Sequence, residues 1–392
     1  MKKSLGLLMI ALQAIMLSGC LSLFPEDEEV EREEVTDPDE QMVEVVPQLV
    51  TPDNYYRSVL YDGAYLHGES RGFGNSVVYN RLDLDKLEIG LQRIAQEYFE
   101  PEEYFFREGQ FIRRNQLNAW LMRYDEDDNP TGLNPPLGDE DDLKAQEENQ
   151  PRVLSHILEH NYLVENSNGQ FNLGGIVIGL SLNSVYNFRV EDEEGLFYFY
   201  ETDIPDDVIE NEGQELADRV LERIRSENFE EGAFTDIPIV FALFQEEPRD
   251  SAIPGRFIAT AKADPNSGID RWQRIDETYY LFPSRDANNN VRNEADQFQR
   301  FSDDIQGFFD TYVGVVGTGR YLDNQIQELT IEVPIRYQGT AEIVAMTQFA
   351  ANQIQERFDE GYKITLEVTS ISGNVESVVI VNPNEEPVIH IF

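Results

Sequence analysis

His156-Ile157-Leu158-Glu159-His160 is the stretch of this chain whose residue types and spacing come nearest to a hydrolytic centre. On a helix, two imidazoles four residues apart share a face and can grip zinc, while the glutamate activates the metal's water. A helix expected from about Arg152 to Leu163 would display them in that way. The competing reading is a solvated helix face in a glutamate-rich chain. No third ligand stands out, and His67 and His390 are the only other histidines. Other constellations fail at particular positions. Asp127-Asp128-Asn129-Pro130-Thr131-Gly132 opens like a calcium loop, but Gly138 stands where the closing glutamate belongs. Asp286 to Asn290 has Val291 where such a loop needs glycine. Gly314 to Arg320 lacks the Lys-Ser/Thr of a phosphate loop and reads as a tight turn. Tyr198, Tyr200, Tyr279 and Tyr280 could line a cleft, with packing in a strand core as the default. The chain is therefore expected to be no enzyme and to hold no cofactor or metal. His156, Glu159 and His160 remain as the weaker zinc-hydrolase alternative.

The elements that would position these residues follow from hydrophobic spacing. Leu84, Leu87, Leu91, Ile94, Ala95 and Tyr98 predict an amphipathic helix over 83–98, and Leu117, Trp120 and Leu121 a shorter one over 115–123. Residues 125–150, acidic and broken by Pro130, Gly132, Pro135 and Gly138, read as a long loop. Beyond the 152–163 helix, Gly175 to Phe188 is β-rich, 213–227 is a half-exposed helix, and Ile237 to Phe244 a buried strand. Strands near 256–262 and 278–282 precede a helix near 294–312 carrying Phe298, Phe301 and Ile305. The chain then reads as a strand at 328–337, a helix at 340–358, and strands at 363–371, 375–381 and 387–392. Helices scattered irregularly among strands predict an α+β fold: two mixed domains with mainly antiparallel sheets, over 51–235 and 236–392. They stand behind a disordered acidic tether over 20–50.

The N-terminus carries a different chemistry. Lys2 and Lys3 precede an apolar run from Leu5 to Leu17, followed by Leu17-Ser18-Gly19-Cys20. A basic start, a short apolar core and small residues before a cut site describe a secretory signal over 1–19, too short to span a membrane. Its end resembles the lipobox of bacterial lipoproteins. That resemblance implies diacylglycerol (and a further acyl group such as palmitate) on Cys20, cleavage after Gly19 by prolipoprotein processing enzymes, and anchorage on the outer face of the cytoplasmic membrane. The alternative is a cleaved secreted protein with an incidental cysteine. Cys20 is the only cysteine, so no disulfide is available and the fold must rest on its core. Two or three acyl chains anchor stably where one would be marginal.

Composition excludes one class of partner. The chain has 75 acidic against 30 basic residues, a formal charge of −45. Nucleic acid carries the same sign and is repelled.

Several stretches together are similar to the CamS family of sex pheromone lipoprotein precursors from Gram-positive bacteria. They are Tyr55-Tyr56-Arg57-Ser58-Val59-Leu60, Ser70-Arg71-Gly72, Asn80-Arg81-Leu82-Asp83, Glu108-Gly109-Gln110-Phe111 and Leu182-Asn183-Ser184-Val185-Tyr186. Tyr312 to Gly317, Glu342-Ile343 with Thr347-Gln348-Phe349, and Val388 to Phe392 complete the series. The resemblance implies that the end of the signal is trimmed to a short apolar peptide, sensed through a receptor in other cells. Here that segment is Ala14-Ile15-Met16-Leu17-Ser18. The folded part is then a non-enzymatic ectodomain without an assigned ligand, the alternative being a cell-envelope binding module with no pheromone role.

Overall fold

The computed structural model describes residues 43–46, 54–70, 80–308, 314–336, 339–370 and 372–392. The signal, Cys20 and most of the acidic tether lie outside the described residues.

The first half opens with β1 (Val43–Val45), β2 (Arg57–Tyr61), β3 (Ala64–Tyr65), α1 (Leu84–Ala95) and β4 (Tyr104–Glu108). Helices α2 (Arg114–Leu121) and α3 (Leu143–Asn149) precede two long strands, β5 (Leu154–Glu165) and β6 (Phe171–Asn183). A separate hairpin of β7 (Val185–Glu191) and β8 (Phe197–Asp203) leads into α4 (Asp206–Ile224), β9 (Ile239–Glu246), β10 (Arg256–Ala263) and β11 (Gln273–Arg274). The nine-stranded sheet runs β1-β2-β4-β5-β6-β9-β10-β11, with β3 beside β2. Pairing is antiparallel except for β2–β4 and β6–β9.

The parallel pair β6–β9 is buried on both faces. Ile176, Ile178, Leu180, Phe241 and Leu243 meet α2 and α4. Val177, Val240, Ala242 and Phe244 meet Leu87, Leu91 and Ile94 of α1 on the other side. Helices on both faces are what lets such strands be apolar throughout. Glycines set the approach of α1. A Cβ on Gly179 would lie 2.8 Å from Leu91 Cδ1, and one on Gly90 would overlap the Phe257 ring.

The second half contains β12 (Glu277–Phe282), α5 (Arg285–Asn290), α6 (Arg292–Phe308), β13 (Val316–Leu322) and β14 (Gln325–Ile335). It ends with α7 (Thr340–Arg357), β15 (Lys363–Ser370), β16 (Val375–Val381) and β17 (Val388–Ile391). These strands form a six-stranded sheet in chain order, and α7 connects the parallel pair β14–β15. Leu329, Ile331, Val333, Ile364 and Leu366 face α6 and α7, where Phe301, Ile305, Met346 and Ile354 pack. Glu328, Thr330 and Glu332 alternate onto the opposite, wetter face. The fold is α+β.

Several sequence expectations change. Residues 154–165 form a strand and not a helix, because β5 lies inside the sheet and takes apolar residues on both faces, which removes the alternation of a half-exposed strand. The sheets divide between Arg274 and Glu277 rather than near 235, since β9 returns beside β6 and carries β10 and β11 with it. Val43–Val45 pairs with β2, so the tether stops short of residue 50. Gly317 and Gly319 lie within β13, where a Cβ would come 2.5 Å from the Phe298 ring and 2.9 Å from the Phe282 ring. The long acidic loop contains α3, capped by Asp142 accepting the Ala145 N–H.

Gly90→Ala tests the α1 contact. Helix propensity alone gains about 1 kcal/mol, whereas overpacking costs about 1–3 kcal/mol. The expected result is a lower urea midpoint at unchanged m-value. A raised midpoint would mean that α1 moves freely off the sheet.

Candidate functional site

The His156–His160 segment is a buried part of β5. Successive side chains of a strand point to opposite faces. His156 and His160 lie on the α1 side, with the His160 ring 5.0 Å from Phe106, edge to face. Glu159 points to the other side, towards α2. Its Oε2 accepts the N–H groups of Ile112 at 2.7 Å and Phe111 at 3.1 Å, and its Oε1 accepts Asn161 Nδ2 at 2.5 Å. Burial pushes its carboxyl up, opposed by these hydrogen bonds. Burial lowers His156 to about 4 and His160 to about 3. The three residues cannot bind one zinc ion together, and the glutamate's acceptors are used by the chain. Among the described residues no group of three or more His, Cys, Asp or Glu is placed to hold a metal.

Gly68-Glu69-Ser70-Arg71-Gly72 has the G-x-S-x-G form of a hydrolase nucleophile turn. That turn needs a central strand before it. Here the preceding strand is the two-residue β3, and Ser70 is buried. Gly68 N–H donates to Glu108 Oε2 at 2.6 Å and Glu69 N–H to the Gly109 carbonyl at 3.0 Å.

One opening among the described residues lies between the two halves. It encloses about 480 Å³, walled by the start of α1 and floored by the wetter face of β13 and β14. Arg81, Lys86, Arg93 and Arg320 contribute cations there, and Asp83, Asp85, Glu328 and Glu332 carboxylates. Most of this charge is spent internally: Arg81 binds Asp83 at 2.9 Å, Arg93 meets Glu328 at 3.4 Å, and Arg320 donates to Glu277 at 2.6 Å. Thr318, Thr330 and Tyr279 complete a largely polar trough. Tyr198 and Tyr200 stand on β8, so the four tyrosines do not form one cleft.

Behind this cleft Glu246 is buried at the end of β9. It accepts Ser181 Oγ at 2.5 Å and the Asp83 N–H at 3.1 Å, while Asp83 Oδ2 accepts the Gly255 N–H at 2.7 Å. Burial raises the Glu246 carboxyl to about 7. His156 pairs in register with Ser181, which brings the residue types of a hydrolase triad together. The serine donates to the glutamate, however, and all three are buried.

The family model described as CamS sex pheromone cAM373 precursor matches residues 65–387. The chain belongs to this family. A crystal structure of a sex pheromone precursor from Lactobacillus salivarius subsp. salivarius UCC118 is similar at 27% identity and a TM-score of 0.79, covering 90% of this chain and 99% of that one. The C-terminal domain of the sex pheromone staph-cAM373 precursor from Staphylococcus aureus is similar at 28% identity and a TM-score of 0.66, covering 79% of this chain and 96% of that one. No curated relative matches the chain.

The stretches that resemble the CamS family mostly act as clips. Asn80 Oδ1 accepts the Asn187 N–H at 2.6 Å, Arg81 reaches the Ser251 carbonyl at 2.6 Å, and Asp83 ties Gly255, so Asn80–Asp83 joins β7 to the β9–β10 connection. Glu108–Phe111 wraps Glu159, with a Cβ on Gly109 blocked 2.5 Å from the Glu159 carbonyl. Thr347 Oγ1 lies 2.6 Å from Ser377 Oγ, fixing α7 to β16. Arg71, Gly72, Tyr312 and Val313 lie outside the described residues, as do Ala14 to Cys20. The 127–132 stretch is an acidic turn in which Asp125 Oδ1 accepts two backbone N–H groups, and 286–290 falls in α5.

Two predictions follow from these buried groups. Between pH 4.5 and about 7 folded Glu246 keeps a proton that the unfolded chain releases. Its contribution is complete below pH 4.5 and is lost as pH rises through 7. Glu246→Gln is therefore expected to stabilise at pH 8, by on the order of 3 kcal/mol at most, and to be neutral at pH 4.5. Urea titrations at both values decide it, and a pH-independent difference would refute the raised titration. The histidines act oppositely, their share being lost as pH falls below 6.5. His156→Ala with His160→Ala should cost roughly 1–3 kcal/mol and leave the metal content of the purified protein unchanged. Stoichiometric zinc that disappears in this variant would restore the hydrolase reading.

Proposed function

We propose that the chain is an exported prolipoprotein, cut between Gly19 and Cys20 and held on the outer face of the cytoplasmic membrane by lipid on Cys20. The end of its signal, Ala14–Ser18, is released as a short apolar peptide read by a receptor in other cells. The observation that carries this reading is Leu17-Ser18-Gly19-Cys20, holding the only cysteine of a chain that belongs to a sex pheromone precursor family. The two similar solved structures are named as sex pheromone precursors. Among the described residues no helix is long and apolar enough to cross a membrane, which leaves the lipid as the attachment this reading uses. The peptide's chemistry suits the role, since a short uncharged segment can leave a bilayer and enter an apolar pocket.

The ectodomain is non-enzymatic in this reading. The engagement of Glu159 by backbone N–H groups, away from the two histidines, supports that.

Mass spectrometry of spent medium tests the precursor role. A discrete species within residues 10–19, such as Ala14–Ser18, is expected from the native strain and should vanish with Cys20→Ser, which blocks lipidation and cleavage. Labelled palmitate should be incorporated by the native chain and not by this variant. A labelled chain with no discrete peptide would leave the anchor standing and end the pheromone assignment.

A further inference from the structure

The cleft between the two halves holds hydrogen-bonding groups that the chain itself does not use. Its floor is the wetter face of β12, β13 and β14, and the sheet register sets that face out in rows. Tyr279, Arg320 and Glu328 stand side by side in one row, and Thr318 and Thr330 in the next. Strands about 4.8 Å apart, with like-facing residues about 7 Å apart along each, make this a grid of donors and acceptors. Several of its points are free. Tyr279 is only 9% exposed, yet it lines the cleft and its hydroxyl has no hydrogen-bond partner among the described residues. A phenol held this deep normally has one. Burial raises its pKa, so it stays protonated and able to donate. The hydroxyls of Thr318 and Thr330 are likewise unbonded among the described residues, and Arg320 gives its Nε to Glu277 and makes no further hydrogen bond there. The wall is different in kind. Leu82 and Leu84 at the entry to α1, with Ala252 and Pro254 of the β9–β10 connection, line it with apolar groups.

We propose that this cleft binds an uncharged pyranose sugar unit. The charges of the lining select against ions. Its cations are matched by as many carboxylates, so a ligand of either sign meets repulsion at close range, and an anion is also opposed by a chain of formal charge −45. A metal ion is disfavoured because no group of three or more His, Cys, Asp or Glu among the described residues is placed to hold one. A peptide strand finds no edge to extend, since β13 and β14 are each paired on both sides. A sugar ring fits both surfaces. Its hydroxyls donate and accept, so they can take the free Tyr279 and Thr groups and give to Glu328, while its C–H face lies against the leucine and proline wall. The volume of about 480 Å³ and the position between two halves of a chain are those of small-molecule sites. This inference is independent of the fate of the signal, so a failure to find a released peptide leaves it intact.

The test uses the chain from residue 20 onward with Cys20→Ser, so that it carries no lipid, titrated by calorimetry with tetrasaccharides of like ring and different charge. The neutral probes are maltotetraose and the N-acetylglucosamine tetramer. The charged ones are the glucosamine tetramer in its ammonium form and the galacturonate tetramer. A neutral probe is expected to bind with a Kd of about 1 mM or tighter, and the charged ones far more weakly. Tyr279→Phe removes one hydroxyl and keeps the buried ring. It should weaken that binding about three- to tenfold, the worth of one hydrogen bond. Thr318→Val with Thr330→Val keeps the shape of both side chains and should weaken it by at least as much. Gln348→Ala, exposed on α7 across the sheet, should leave it unchanged. Three results overturn the proposal: no neutral probe binds, a charged probe binds as well as the neutral ones, or neutral binding ignores both Tyr279→Phe and the threonine pair.

Discussion

A carboxylate inside a protein must find donors or give up its charge, and three glutamates meet that constraint by binding the chain itself. Among the described residues Glu159, Glu246 and Glu277 are the buried acids. Each accepts backbone N–H from a segment remote in sequence. Glu159 holds the Phe111–Ile112 turn, Glu246 the entry to α1 at Asp83, and Glu277 the Phe257 N–H at 2.8 Å. A buried backbone donor left unmet costs about 1–3 kcal/mol, so accepting these N–H groups stabilises each junction whether or not the acid is ionised. These acids therefore act as joints. The Glu277 joint, closed by Arg320, ties β12 to β10 and so couples the two sheets. Arg93 on α1 meeting Glu328 on β14 gives the cleft its second crossing.

Much of the fold was legible because its outer elements are half-exposed. The pattern at Leu84 to Ala95 reports a helix with one wet face, and Leu329, Ile331 and Val333 report a strand with one wet face. Legibility failed where both faces are dry. In β5 the sequence Leu154 to Leu163 places apolar groups at spacings that suit a helix equally well, and only the sheet neighbours decide between them. The division between the two sheets was hidden for a related reason: the pairing of β9 with β6 spans the β7–β8 hairpin and α4, so no local composition marks it.

The site was less legible than the fold. The motif at 156–160 has the residue types of a metal centre, but its geometry depends on a period of 3.6, and a period of 2 sends Glu159 to the opposite face. Asn80–Asp83 and Glu108–Phe111 were visible as stretches resembling a family, yet nothing local to them shows that they bind Asn187, Gly255 or Glu159. Such contacts join residues far apart in sequence. Tyr198, for which packing in a strand core was the default, is exposed on β8, because exposure is a property of the assembled surface and not of residue type.

The bias to arginine has a structural cause. Of 30 basic residues six are lysines, at 2, 3, 86, 144, 262 and 363, leaving 30 − 6 = 24 arginines. Arg123 donates to the Pro135 carbonyl at 2.9 Å, Arg219 to Leu133 at 2.9 Å and Arg223 to Thr131 at 2.6 Å. The acidic loop over 125–150 is thereby fastened to α4 without a sheet or a large core of its own. Arg225 reaches the carbonyls of Ile237, Ala263 and Asp264 in the same way, closing the turn between α4 and β9 against the end of β10. A guanidinium offers five donors in a fixed plane and stays charged, so one side chain can satisfy several orphan carbonyls, whereas an ammonium is a compact point charge that prefers water. The buried glutamates collect stray N–H groups and the arginines collect stray carbonyls. Together they hold irregular backbone in an exported chain that has no disulfide to do so.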